Sequence, residues 1–586
     1  MSDFRTVLVR DSVIGDITSD LDFAVRSGAS QTTYQRFPAT SASNSSLIFS
    51  VQVPSENVVI GRDVLLTSGI TFTMKAGNAA GAGNPGAVPI GSDVFDYGNT
   101  DALQAFPLAS LMTTATAQIN NTSVSINLQD VLPSLLRMNN SRELYRFNST
   151  TPSLPDQAYG RYAQGLTANN NPLAGYSNAS YDVDQVPRGA HAAAIVIKRF
   201  EAGVYVDASP TGVNATDTWE IEFSTVVAEP LFLSPFIFGD PEYNQQGLLG
   251  INNMTFTFNI DATCKRLFST ANPYITSIAL GTTANPNGFT TPSTIYTQSA
   301  PSNPALLLKF LSTQPSDLVE TKNVVPYMDF PRYLTSSSNT TAIAAGASAT
   351  LTSSNLQINQ IPDLFIINIR KPMSSQTIQD ASAFLTINNI SINLNNQSGL
   401  LSSASAYDLW RMSVKNGSTQ SWAEFGGLAI SKDPTSGDGQ AIATTGSLLV
   451  INAAYDLSLP DYISAGSLGN YNFQFSVGCT NTLSAAAGTL SPEICVIAVN
   501  SGIMTTQQGV SAIYTGILTK EMVLNAKSRQ QSSAMKSAEV KRMVGGNMLN
   551  MPLHGIVRAA CRRFGGVSSG GVSSGGVSSG GMKGLC

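Results

Sequence analysis

Apolar and polar residues alternate in short runs along most of this chain, the pattern of strands with one buried face. Leu47-Ile48-Phe49-Ser50-Val51-Gln52-Val53 opens the series, and Ile70-Thr71-Phe72-Thr73-Met74 and Met254-Thr255-Phe256-Thr257-Phe258 continue it. Further strands are predicted at 194–197, 219–223, 306–311, 364–369, 383–394, 447–452, 472–477 and 494–499. Runs this short, separated by polar turns and by Gly/Ala/Asn/Pro loops such as 76–90, predict sandwiches or barrels rather than β/α units. Residues 1–45 show little periodicity and read as an extended N-terminal arm. Residues 271–305, rich in Thr, Pro, Asn and Ser, read as a connection between two halves.

Blocks recur in the same order in the two halves. Ile119-Asn120-Asn121-Thr122-Ser123-Val124-Ser125-Ile126 leads to Leu135-Leu136-Arg137-Met138, and Ile387-Asn388-Asn389-Ile390-Ser391-Ile392 leads to Leu409-Trp410-Arg411-Met412. Next, Leu231-Phe232-Leu233-Ser234-Pro235 precedes Asn253-Met254-Thr255-Phe256, and Leu457-Ser458-Leu459-Pro460 precedes Asn472-Phe473-Gln474-Phe475. An internal repeat predicts two similar β domains in tandem. Asn/Ser/Thr-rich β sequences also match one another by coincidence, so the blocks alone leave both readings open. At 586 residues the chain is too long for one ordinary core. The expected fold is all-β: an eight-stranded jelly roll over 46–270 and a second over 306–518, both with inserted loops.

Charge changes the picture at the C-terminus. Charged residues make up only 12% of the chain, about half the roughly 25% of an average soluble protein. Such a surface is suited to extensive packing against other subunits, where buried charge is costly. Residues 519–586 hold ten Lys/Arg against two Asp/Glu, a net +8, leaving −13 for residues 1–518 out of −5 overall. Residues 519–546 read as a basic helical segment, with Thr519 as N-cap and Glu521 in the first turn. Residues 547–586 read as a flexible tail ending in Gly-Gly-Val-Ser-Ser repeats. An acidic body with a basic tail points to contact with nucleic acid or an anionic membrane, through Lys536, Lys541, Arg542, Arg558, Arg562 and Arg563.

Chemistry is scarce. Two histidines, His191 and His554, exclude a His-rich metal site and leave little for a catalytic triad. Asp240 with Glu242, or Asp16, Asp20 and Asp22, read as solvated loop acids. Five scattered cysteines form neither a metal spacing nor a disulfide framework. No secretory signal is read at the N-terminus and no transmembrane run along the chain. The expectation is a structural protein, not an enzyme, with no cofactor and no metal. Met543-Val544-Gly545-Gly546 reads, from its residues, as a Gly helix stop, although two glycines also let backbone extend into a protease groove.

With these residues in hand, the chain resembles a double jelly-roll major capsid protein of the adenovirus-related lineage, most similar to those of polinton-like viruses, adintoviruses and virophages. Phe106-Pro107-Leu108 leading into Ile119-Asn120-Asn121, Glu229-Pro230-Leu231-Phe232-Leu233-Ser234-Pro235, and Leu457-Ser458-Leu459-Pro460 with Gly469-Asn470-Tyr471-Asn472 carry the likeness over most of 46–518. The resemblance implies a homotrimer that builds the icosahedral shell of a double-stranded DNA virus. It implies penton and minor capsid proteins as partners, and assembly of virions in the host cytoplasm or nucleus. Inserts at 139–188 and 413–446 would form outer towers, and the basic tail would face packaged DNA or an internal membrane. It also implies a maturation protease cutting between Gly546 and Asn547, with Met543, Gly545, Gly546 and Asn547 as the recognition site. Two other readings compete. One is an RNA-virus coat with a single jelly-roll shell domain and a protruding β domain. The other is a non-viral β-rich adhesin.

Overall fold

The alternation at Ser46–Gln52 becomes a strand whose Leu47, Phe49 and Val51 are fully buried while Ser50 and Gln52 face solvent. In the computed structural model the same logic builds two eight-stranded jelly rolls. The described residues are 6–10, 22–26 and 31–516, less 77–100, 156–194, 207–218, 237–246, 284–295, 313–322 and shorter loop stretches.

The first jelly roll comprises β1 (Gln31–Pro38), β2 (Ser46–Gln52), β3 (Leu65–Ala76), β4 (Met112–Ile119), β5 (Thr122–Ile126), β6 (Trp219–Pro230), β7 (Asn253–Ile260) and β8 (Ser302–Ser312). Its sheets run β5-β4-β7-β2 and β6-β3-β8-β1, all antiparallel. The second comprises β9 (Asn323–Asp329) with β10 (Arg332–Thr335), β11 (Ser348–Thr352) with β12 (Leu356–Gln360), β13 (Leu364–Arg370), β14 (Thr386–Leu394), β15 (Gln397–Leu400), β16 (Leu449–Asn452), β17 (Leu468–Thr480) and β18 (Glu493–Gln507). Its sheets run β15-β14-β17-β11/β12 and β16-β13-β18-β9/β10. Strand for strand, the connectivity is the same. A single jelly roll joined to an unlike protruding domain is therefore overturned.

Each core lies between the two sheets of its jelly roll. In the first, Phe72 stacks on Phe223 at 4.8 Å while Phe49 meets Phe258 at 5.7 Å from the facing sheet. In the second, Phe365 sits 4.9 Å from Phe473 and 5.4 Å from Phe475. Each such ring, removed from water, contributes about 1.5–3 kcal/mol.

Three expectations need correction. Residues 306–311, assigned from sequence to the second half, belong to β8, which pairs with β1 and β3 of the first. The expected arm contains β1 and also a hairpin of Thr6–Arg10 with Asp22–Arg26. The expected connection at 271–305 contains a strand, Ile275–Leu280, bonded to β3, and the start of β8. The passage between the halves thus falls within 313–322. The repeat also holds at a different register. Ile387 to Leu394 lie in one strand, so the match to the Asn120-Asn121 turn is Asn395-Asn396, seven residues later. Asn120 and Asn395 share a left-handed backbone, φ 52° and 49°. Asn120 Oδ1 accepts from Asn252 N and Asn395 Oδ1 from Asn472 N, each at 2.9 Å.

Candidate functional site: the seam between the jelly rolls

Two short helices precede the site. α1 (Pro107–Leu111) is held by Glu229, whose carboxylate accepts from Leu108 N and Ala109 N at 2.8 Å each. Burial outweighs these hydrogen bonds and pushes the Glu229 carboxyl up to about 7. α2 (Leu128–Leu136) follows β5 and carries Asp130 in its first turn.

The run Leu364-Phe365-Ile366-Ile367-Asn368-Ile369-Arg370 is buried at every position, as expected of a strand covered on both faces. Phe365, Ile367 and Ile369 point into the second core, while Leu364 and Ile366 join the core of the first jelly roll. α2 lies against that outer face at Asn368 and Arg370. Val131, Leu132, Leu135 and Leu136 belong to the same apolar cluster as Leu364, Ile366, Val450, Cys495, Ile497 and Val499. Polar contacts fix the register: Asn368 Nδ2 donates to Ser134 Oγ at 3.2 Å, and Thr419 N and Oγ1 both donate to Arg137 O.

A buried charge cluster completes the seam. Arg370 bridges Asp130 on α2 and Glu493 on β18, the latter at 2.6 Å. Arg332 Nε lies 2.7 Å from Asp130 Oδ2 at an angle that makes it an ion pair rather than a directed hydrogen bond. Burial opposes the Arg370 charge, yet Cys495, Asp130 and Glu493 outweigh it and hold its pKa above the ordinary value. Nearby Arg266 is lowered to about 9 by burial and by repulsion from Arg370, against the pull of Asp130. Its guanidinium donates to Gln129 O, and the Arg137 guanidinium lies 5.1 Å over the Phe384 ring. Beside them, Gln104, Arg137, Arg266 and Ser382 line a cavity of about 20 Å³, room for one water.

A second clasp lies at the turn joining β4 and β5. The hairpin of β18 with β19 (Val510–Thr515) reaches across to it. Ser511 N donates to Asn121 Oδ1 at 2.7 Å, Ser511 Oγ to Ile119 O at 2.6 Å, and Thr122 Oγ1 to Ser511 O at 2.7 Å. Gly509 N donates to Gly250 O at 2.9 Å. Met328 N also donates to Ser234 Oγ at 3.0 Å and Lys265 Nζ to Ser374 O at 2.9 Å, so the two halves are joined at several separated places, which fixes their mutual orientation.

Among the described residues no three His, Cys, Asp or Glu side chains gather as metal ligands. Cys264, Cys479 and Cys495 are buried thiols, and burial pushes each up to about 12, which makes them poor nucleophiles. The seam residues Asp130, Arg332, Arg370 and Glu493 escaped sequence reasoning. Their signal is a charged residue within or at the end of an apolar run, as Asp130 is in 128–136. Met543, Gly545, Gly546 and Asn547, and the basic residues Lys536, Lys541, Arg542, Arg558, Arg562 and Arg563, lie outside the described residues, as do the expected helical segment 519–546 and tail 547–586.

Comparison with known proteins identifies what this twin architecture is. The family model described as "Sputnik virophage major capsid protein 1st domain" matches residues 2–311, more than half of the chain. The chain belongs to the virophage major capsid protein family. The "Major capsid protein V20 C-terminal domain" model matches residues 330–502, so the two matches fall on the two halves, with β9 (Asn323–Asp329) in the stretch between them. The chain is 27% identical over 548 residues to the putative capsid protein V20 of Sputnik virophage, covering 91% of this chain and 83% of that one. Among solved structures it is similar to the chain in the 3.5 Å cryo-EM structure of the Sputnik virophage, with a TM-score of 0.68 and 26% identity over 92% of this chain and 98% of that one. The mavirus major capsid protein shares the fold, with a TM-score of 0.60 at 15% identity, over 91% of this chain and 99% of that one. The protein is a major capsid protein, a double jelly-roll building unit of a virus shell.

Proposed function

We propose that three copies of this chain close around a threefold axis into a pseudo-hexagonal trimer, the unit that tiles the flat facets of an icosahedral shell. The observation that carries this reading is the seam: two jelly rolls of identical strand order held side by side at fixed orientation. Three such pairs present six similar barrels around one axis, so three chains do the packing of six. The role is structural and calls for no catalytic group. Size-exclusion chromatography with light scattering on the full-length protein tests it. A species of about 185 kDa, three times the 61.7 kDa chain, supports the trimer, and a monomer or twofold dimer discards it.

In this reading the expected outer towers reduce to the stretch 156–188 and the hairpin of Leu428–Lys432 with Gly439–Ala443, and the C-terminal segment lies inside. The remainder of 139–188 and 413–446 includes residues packed into the body, such as Asn139, Ser153, Thr419 at the seam and Phe425. In this proposal a maturation protease cuts between Gly546 and Asn547. The basic residues Lys536, Lys541, Arg542, Arg558, Arg562 and Arg563 meet packaged DNA or an internal membrane. Penton and minor capsid proteins complete the lattice, assembled in the host cytoplasm or nucleus. The composition of the tail, +8 against an acidic body, supports the inward placement. Intact-mass measurement of mature particles should find chains lacking 547–586, and full-length chains there would exclude the cut.

A further inference from the structure

Each half places a helix after its short fifth or corresponding strand, and the two helices meet different fates. α2 is buried at every position but Gln129, packed on β4 and α1 of its own jelly roll and bonded through Ser134 and Asp130 to Asn368 and Arg370 of the second. Its counterpart α3 (Ala406–Lys415) follows β15, capped by a reciprocal Ser405–Asp408 pair. Asp130 and Asp408 are each the third residue of their helix. One position on, Val131 and Leu409 are both buried, as are Leu135 and Ser413 four further along. On its other side α3 is bare. Tyr407 is 51% exposed and Val414, two turns on, is 42% exposed. Trp422 of α4 (Trp422–Phe425) adds 43% exposure, its ring 5.4 Å from Tyr407.

The receiving faces differ in the same way. On the second jelly roll, Leu364, Ile366, Val450 and Ile497 are all buried in the apolar cluster that includes α2, and Arg332, opposite Ile497 on the edge strand, meets Asp130. On the first jelly roll the corresponding face carries Leu307 opposite Arg36 on the edge strand β1, and Lys309 opposite Tyr34. It is open at Tyr34, Arg36 and Val226, although Thr73 and Glu222 on the same face are buried. Tyr34 is 73% exposed and Val226 is 71% exposed, the two barest large apolar side chains among the described residues. One chain therefore carries a helix and a sheet face that are each partly bare, and each matches a surface that is buried at the seam. Surfaces that match head to tail rather than to themselves generate a closed ring when the rotation fits.

We infer that the occupant of each bare surface is a second copy of this chain. α3 of one protomer, with Tyr407, Val414 and Trp422, seats on the outer face of β1, β8, β3 and β6 in the next, and Asp408 lies toward Arg36. The contact repeats between copies what α2 makes within one. This rests on the trimer reading and names its surfaces. Apolar burial supplies the adhesion, and the Asp–Arg pair, as at the seam, selects the register.

Full-length Val226→Glu, Tyr34→Glu and Tyr407→Glu test it by size-exclusion with light scattering, with circular dichroism as the check that each folds. Each change lies at an exposed position. Each variant should drop the mass threefold, from trimer to monomer. Mixing Val226→Glu with Tyr407→Glu should restore association, but only to dimers, because one intact pairing remains and the ring cannot close. Tyr34→Glu should mix with Tyr407→Glu in the same way. Folded variants that remain trimeric, or a mixture that stays monomeric, overturn the inference. A wild-type protein that is itself not trimeric overturns the trimer reading instead.

Discussion

Removing the Asp130 carboxylate is the sharpest test of how the two jelly rolls are held. In Asp130→Asn the shape is kept and the charge is lost. Arg370, 4% exposed, then keeps only Glu493, and Arg332 at 32% exposure keeps none of its pairing. Breaking a buried ion pair from one side costs about 3–5 kcal/mol, because the surviving charge stays desolvated. Glu493 shares the load on Arg370, which puts the expected loss near the lower end, about 3 kcal/mol. The Arg332 pair, being partly wet, adds no more than about 1 kcal/mol. Urea unfolding followed by tryptophan fluorescence reads this, since Trp219 belongs to the first jelly roll and Trp410 and Trp422 to the second. The wild type should unfold in one transition, and the variant should show an earlier onset in which the halves separate. Replacing the cluster together, as Asp130→Asn with Arg370→Met and Glu493→Gln, should recover most of the loss by removing the orphaned charges. A loss below about 1 kcal/mol in the single variant would refute the reasoning, since only a solvated seam could absorb the change.

Other consequences are narrower. Glu229 has its folded pKa raised from 4.5 to about 7, so the native state holds that proton more tightly than the unfolded chain. Its contribution is full below pH 4.5 and fades as pH rises through 7, by up to about 3 kcal/mol. Thermal melts should show this pH slope flattened in Glu229→Gln, and identical slopes would contradict it. Arg62 is 3% exposed, and its three guanidinium nitrogens find no hydrogen-bond partner among the described residues. Arg62→Met should therefore stabilise the protein by about 1–3 kcal/mol in urea titrations, whereas a large loss would mean the charge is compensated. Asn120→Ala and Asn395→Ala each remove an acceptor at a left-handed turn and should each cost about 1–2 kcal/mol. Unequal costs would argue that the two turns are not the same device.

Much of the fold was legible because burial on one face leaves a period of two. β2, β3 and β7 show it plainly, with Phe49, Phe72 and Phe256 at inward positions. β1 does not: its inward residues Thr33, Gln35 and Phe37 are only half-buried, so nothing apolar alternates and the segment reads as an arm. β8 was readable as a strand but not as a member of the first jelly roll, because the Thr/Pro-rich stretch before it looks like a linker. Within the same stretch, Ile275–Leu280 pairs only with β3, at the sheet edge, where composition misleads. The repeat was visible, but Ile387-Asn388-Asn389 imitates a turn sequence inside a continuous strand, which displaced the alignment. The seam was not legible at all. Asp130 and Arg370 are 240 residues apart, and only the folded chain sets them together. The tail residues drew attention through charge and glycine, which composition shows without any fold.

The most direct measurement is electron microscopy of the purified full-length protein, read as class averages viewed down the principal axis. Six lobes of two alternating kinds around a threefold axis are expected, with a nearly hexagonal outline. Two-lobed single particles, or pairs related by a twofold axis, would contradict the claim that twin jelly rolls let three chains imitate sixfold packing.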